Sequence, residues 1–145
     1  MQKLKKLSLY KEILIEEFIG GIEIKVAILG KKKLGAIELI PKRKFYDYEA
    51  KYNSKAKTKH IIPVNISKKD LKNVLNIALK AHNLIGCRGV TRSDFKFYNE
   101  KFYLLETNTQ PGMTNLSLVP EIAAYTGMSF TKLVEWIIND ASVNR

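Results

Sequence analysis

Residues 90–98 (VTRSDFKFY) and 102–108 (FYLLETN) are two short alternating runs flanking a polar break at Asn99-Glu100-Lys101. Period-two alternation on both sides of a short break specifies a β-hairpin. A hairpin constrains the chain more than any isolated element, because it dictates which residues face one another. A three-residue loop would pair positions whose numbers sum to 200, setting Arg92 against Asn108 and Asp94 against Glu106. The two-residue period puts all four on one face of the ribbon. The opposite face would carry Phe95 against Leu105 and Phe97 against Tyr103, a set suited to a core.

Two carboxylates facing each other repel, so one is expected to retain a proton unless a cation lies between them. Aspartate, glutamate and the asparagine carbonyl are hard oxygen donors. They are too few for an all-protein cage, which suits a magnesium ion completed by water and phosphate oxygens. Arg92 would then hold a phosphoryl group against that ion. Spacing alone leaves a second reading open, an exposed hairpin in which Arg92 neutralises Asp94, since a register slip of one residue dissolves the set. Downstream come Pro111-Gly112-Met113-Thr114 and Ser117-Leu118-Val119-Pro120. A glycine turn can present backbone N–H groups to an oxyanion, and the start of a helix after Ser117 can receive a carboxylate. Metal, phosphate, oxyanion and carboxylate acceptors in series describe the activation of a carboxylate as an acyl phosphate and its attack by an amine.

The remaining chain supplies a frame. Residues 13–18 (ILIEEF) and 22–29 (IEIKVAIL) read as strands around Gly20-Gly21, residues 30–35 as a polar turn and residues 36–40 as a third strand. Ser67 with Asp70 has capping-box spacing, and Leu71, Val74, Leu75, Ala78, Ala81, Leu84 and Ile85 form one helical stripe that Gly86 stops. A short helix is predicted over 118–126 and an amphipathic one after Ser129, with Leu133, Val134, Trp136 and Ile137 turned to the core. His60 and His82 lack ligand-spaced partners and read as structural. Cys87, the only cysteine, reads as a buried inert thiol and excludes an internal disulfide. The length of 145 residues suits a single mixed α and β domain. No apolar run is long enough to cross a bilayer, and a cytoplasmic location is expected. A net charge of +11 is compatible with nucleic acid, but the lysines are scattered and no arginine stripe interleaves with aromatics. Nucleic-acid binding is therefore disfavoured.

GVTRSDF (89–95), LLETNTQPGMT (104–114), SLVP (117–120) and FYDYEAKY (45–52) together closely resemble D-alanine–D-alanine ligases, enzymes of the ATP-grasp superfamily. The likeness spans roughly residues 12–142. It implies an α+β ATP-grasp carboxy-terminal domain over residues 1–145, a mainly antiparallel sheet with flanking helices. Residues 1–12 would form an irregular or helical lead-in and residues 45–60 an active-site lid. The amino-terminal domain and most of the central domain would be lacking.

The resemblance also implies residue roles. Asp94, Glu106 and Asn108 would bind two Mg²⁺ or Mn²⁺ ions bridging the ATP phosphates. Arg92 and Gly112 would stabilise the acyl phosphate and the tetrahedral intermediate, with Tyr52 in the closing lid. Ser117 and Leu118 would receive the carboxylate of the second D-alanine. Glu16, Glu17 and Ile19 would read adenine, Glu23 the ribose, and Phe45, Tyr46, Lys51 and Leu105 would complete the ATP site. The implied partners are ATP and D-alanine, a separately encoded amino-terminal half, and a second copy in a homodimer, with no membrane. Activity for peptidoglycan precursor synthesis is expected of the completed enzyme, and this chain alone is expected to be incomplete and inactive. A silent remnant with residual nucleotide and metal binding is the alternative, and a basic nucleic-acid module a more distant one.

Overall fold

A computed structural model describes residues 12–41 and 58–143. Five strands form one antiparallel sheet: β1 (Ile22–Leu29), β2 (Lys32–Ile40), β3 (Lys59–Ile61), β4 (Val90–Tyr98) and β5 (Lys101–Asn108). Their order across the sheet is β3-β2-β1-β4-β5. Among the described residues three helices pack on the sheet: α1 (Lys68–Leu84), α2 (Leu118–Tyr125) and α3 (Phe130–Asp140). The predicted α+β class and antiparallel sheet are present.

Strand alternation sorts side chains to two faces. Ile24, Val26, Ile28, Ala36 and Phe95 pack on one face against Val74 and Ala78 of α1. On the other, Ala27, Leu29, Ile37 and Leu39 pack against Val119, Ile122 and Ala123 of α2 and Leu133 of α3. These last two helices cover the β1–β2 side of that face, and the polar residues of β4 and β5 lie beyond them. The helix caps follow the sequence signals. Ser67 Oγ accepts from the Asp70 N–H at 3.0 Å, and Ser129 Oγ accepts from the Lys132 N–H at 3.3 Å, each satisfying an otherwise orphaned amide.

Several expectations need correction. Residues 13–18 form no strand but an exposed coil, with Leu14 82% and Ile15 77% exposed. β propensity becomes a strand only with a neighbour to pair with, and β1 has both of its edges taken by β2 and β4. The turn before β2 is Gly30-Lys31 alone, so β2 begins at Lys32. Leu84 and Ile85 end the α1 stripe in solvent, and Cys87 is half-buried rather than buried.

The hairpin loop is shorter than predicted. Asn99 and Glu100 both have positive φ, 48° and 59°, which is the two-residue turn whose twist matches a right-handed ribbon. A β-bulge between Asp94 and Phe95 then shifts the register, so Phe95 faces Leu104 and Phe97 faces Phe102. The expected Phe95–Leu105 and Phe97–Tyr103 pairs do not form. Phe102 instead stacks on Phe97 with ring centroids 4.4 Å apart and meets Phe95 edge-on at 6.4 Å. Among the described residues no helix is long and apolar enough to cross a membrane.

Candidate functional site

Past the bulge the predicted pairing returns. Arg92 faces Asn108, and Asp94 faces Glu106. The extra residue in β5 offsets the missing loop residue, and both predicted polar pairs form on one face. β1 lies on the other flank of β4, where Lys25 is the cross-strand neighbour of Asp94 and Glu23 that of Lys96. Three strands thus bring six charged side chains together.

Lys25 Nζ donates to Asp94 Oδ2 at 2.6 Å and lies 2.9 Å from Glu23 Oε1. Lys96 Nζ donates to Glu23 Oε2 at 3.1 Å. Arg92 grips Asp94 with both Nε and an η nitrogen, at 2.8 and 3.2 Å from the two carboxylate oxygens. The same guanidinium reaches towards Glu106 at 3.7 Å. Asp94 is 4% exposed and Lys25 5%, so the Arg92–Asp94 pair is not the exposed salt bridge that spacing had left open. Burial alone would raise the Asp94 pKa. The hydrogen bond from Arg92, with the charges of Lys25 and Arg92 and the bond from Lys25, outweighs burial and holds the carboxyl below its ordinary value. The expectation that facing carboxylates retain a proton therefore fails at Asp94, because two cations already sit against it.

Asn108 Oδ1 accepts from the Gln110 N–H at 2.8 Å, which turns the chain out of β5 and leaves the carbonyl one lone pair. Two carboxylates and one amide oxygen make up the hard-oxygen set here. Among the described residues no group of three or more His, Cys, Asp or Glu could hold a metal. An ion at this face would have to take its remaining ligands from water or substrate.

Beyond the turn, Gly112 lies against Ser117. A Cβ at residue 112 would stand 2.9 Å from Ser117 Oγ, so a side chain there would make that hydroxyl shift from its place against Thr114. Ser117 Oγ accepts from the Thr114 N–H at 3.0 Å, closing the loop over the first turn of α2. Leu118 is 8% exposed and its side chain packs into the core, so only its backbone could meet a ligand. His60 of β3 lies 2.7 Å from Glu121 of α2 through Nδ1. His82 is buried against Thr91 at 2.8 Å, and burial lowers its pKa despite the raising effect of the backbone contact with Cys87. Both histidines occupy structural positions, as the sequence suggested.

Glu16 and Glu17 lie exposed in the coil before β1, and Ile19 is half-buried there. Leu105 is the bulge residue, without a register partner and 52% exposed. Phe45, Tyr46, Lys51 and Tyr52 fall outside the described residues, as does most of the predicted lid. Lys25 was missed by sequence reasoning, although a signal existed: Glu23 and Lys25 interrupt an apolar strand at positions of the same parity.

Comparison with known proteins agrees with the fold. A family model described as D-ala D-ala ligase C-terminus matches residues 3–139. The D-alanine–D-alanine ligase of Pelagibacter ubique is 69% identical over 145 residues, which is 100% of this chain and 48% of that protein. That of Xanthobacter autotrophicus is 46% identical over 140 residues, covering 93% of this chain and 45% of that protein. The crystal structure of the Bacillus anthracis ligase complexed with ATP superimposes with a TM-score of 0.73 at 31% identity, over 86% of this chain and 41% of that one. The chain thus spans under half the length of these relatives, and it belongs to the family of D-Ala–D-Ala ligase carboxy-terminal domains.

Proposed function

We propose that this chain provides the metal-binding and acceptor-binding part of a D-alanine–D-alanine ligase, which joins two D-alanines through a D-alanyl phosphate at the expense of ATP in peptidoglycan precursor synthesis. The observation that carries this reading is the cross-strand quartet, Arg92 facing Asn108 and Asp94 facing Glu106 on one sheet face.

In this reading Asp94, Glu106 and Asn108 hold the divalent ions, Mg²⁺ or Mn²⁺. Their all-oxygen, incomplete donor set fits an ion that keeps places for phosphate oxygens. Such an ion supplies neutralisation of charge on the transferred phosphoryl group. Glu23 takes the ribose hydroxyls, and Glu16, Glu17, Ile19 and Leu105 border the adenine. Phe45, Tyr46 and Lys51 lie over the nucleotide, and the lid bearing Tyr52 keeps water from the acyl phosphate.

A carboxylate oxygen of the first D-alanine attacks the terminal phosphorus, and ADP departs. The amine of the second D-alanine then attacks the acyl carbon, phosphate leaves, and the amine gives up its proton. Arg92 offers a fixed guanidinium to the phosphoryl oxygens during both steps. The Gly112 N–H meets the developing oxyanion, where a Cβ would crowd Ser117 Oγ at 2.9 Å. Ser117 and the Leu118 N–H at the start of α2 receive the carboxylate of the second D-alanine. The remaining part of the enzyme completes the cleft, so turnover is assigned to the completed site.

Isothermal titration of Mg-ATP tests the assignment. Binding by the wild-type chain should weaken at least tenfold in Asp94→Asn and in Glu106→Ala. Equal binding by all three proteins would refute it.

A further inference from the structure

The six charges at the site are three cations, Lys25, Arg92 and Lys96, and three carboxylates, Glu23, Asp94 and Glu106. They link into one chain across β1, β4 and β5 in which the signs alternate. Counted over these six described residues, the cluster is neutral before any ion or nucleotide arrives. One oxygen of Asp94 is held at 2.6 Å by the ammonium of Lys25, and the other at 2.8 Å by Arg92.

We propose that Lys25 is a built-in cation of the metal site, which makes the site reject a free divalent ion and accept metal only together with a nucleoside triphosphate. The proposal rests on Asp94 and Glu106 being metal ligands, as argued above. A bare divalent ion entering beside Asp94 must displace or confront an ammonium that is 5% exposed, and in low dielectric that repulsion is poorly screened. A polyphosphate chain changes the balance. Its negative charge offsets both the incoming ions and Lys25, whose Nζ lies between Glu23 and Asp94. That is the interval between the proposed ribose acid and the proposed metal carboxylate, where the phosphates must run. Lys25 is thus a positioning residue. It holds the Asp94 carboxylate in place at 2.6 Å, and it couples metal entry to the nucleotide.

A purely structural lysine in a salt-bridge chain would alter stability when replaced and leave metal affinity alone. Electron paramagnetic resonance of Mn²⁺, titrated without nucleotide into the full chain, separates the two. The Lys25→Met variant should bind Mn²⁺ at least tenfold more tightly than the wild type, and Lys25→Arg should behave as the wild type. Unchanged or weaker binding by Lys25→Met would overturn the proposal. If that variant does not fold, Lys25→Gln, which keeps a donor for Asp94 but no charge, is read by the same criterion. The double variant Lys25→Met/Asp94→Asn distinguishes the premises. Loss of the gained affinity supports the coupling through Asp94. A gain that persists would place the ion elsewhere and refute Asp94 as a ligand, and with it the coupling.

Discussion

Replacing Asp94 with asparagine keeps a side chain of nearly the same shape and removes its charge. In the folded protein that carboxylate is 4% exposed and faces two cations, Lys25 at 2.6 Å and Arg92 at 2.8 Å. Removing one member of a buried ion pair costs about 3–5 kcal/mol, because the partner's charge stays buried without compensation. Here Lys25 keeps Glu23 at 2.9 Å, and Arg92 keeps a 3.7 Å contact with the largely exposed Glu106. The lower end of the range, about 3 kcal/mol, therefore applies. For a domain of this size that is a fall in Tm of about 9–12 °C. The second substitution Lys25→Met restores neutrality, so the double variant should lose at least ~1 kcal/mol less than the two single losses combined. The pH dependence follows from the depressed pKa of Asp94. Its contribution is present above the unfolded value of about 3.9 and is lost as pH falls through the still lower folded value. Stability of Asp94→Asn should accordingly be flatter with pH below about 4 than that of the wild type. Thermal unfolding followed by circular dichroism at several pH values measures all of this. An Asp94→Asn Tm within about 2 °C of the wild type, or strict additivity in the double variant, would refute the buried-network argument.

Two further substitutions probe the frame that carries the site. Glu100 holds a φ of 59° in the hairpin turn, a conformation that costs a side-chain-bearing residue about 1–2 kcal/mol. Glu100→Gly should recover that cost less the entropy glycine adds to the unfolded chain, a net gain of about 0.5–1 kcal/mol in thermal or urea unfolding, and a loss of stability would contradict the turn assignment. Gly35 of β2 lies where an added Cβ would stand 2.8 Å from Cγ2 of the fully buried Ile122. Gly35→Ala should therefore cost about 1–3 kcal/mol in urea unfolding by lifting α2 from the sheet; unchanged stability would show that Ile122 can yield.

The polar pairs Arg92–Asn108 and Asp94–Glu106 were legible in the sequence, but not for the reason that spacing offered. Alternation fixes which residues share a face, yet it carries no mark of a bulge. The turn is one residue shorter than predicted, and Leu105 returns that residue, so the register is right above the bulge and wrong below it. Phe102, which a three-residue loop would have set opposite Tyr98, is the aromatic that meets Phe95 and Phe97. Lys25 escaped for a different reason. A strand's own pattern does not reveal its neighbour, and β1 pairs with β4, which follows it by more than sixty residues. The segment 13–18 shows the reverse failure, strand-like composition without a strand to pair with. Ser67 and Ser129 were legible because a helix cap is local chemistry, whereas Ser117 stands at the start of α2 without a side-chain cap bond.

The central claim is that Arg92, Asp94, Glu106, Asn108, Gly112 and Ser117 form one pole of a D-alanine–D-alanine ligase site. Mixing this chain with the amino-terminal portion of the relative that is 69% identical to it, and measuring phosphate release, tests this most directly. Release that requires both polypeptides, ATP, a divalent metal and D-alanine, and that disappears with Asp94→Asn, is the expected result. No release from a mixture of folded, associated polypeptides, or release undiminished by Asp94→Asn, would contradict it.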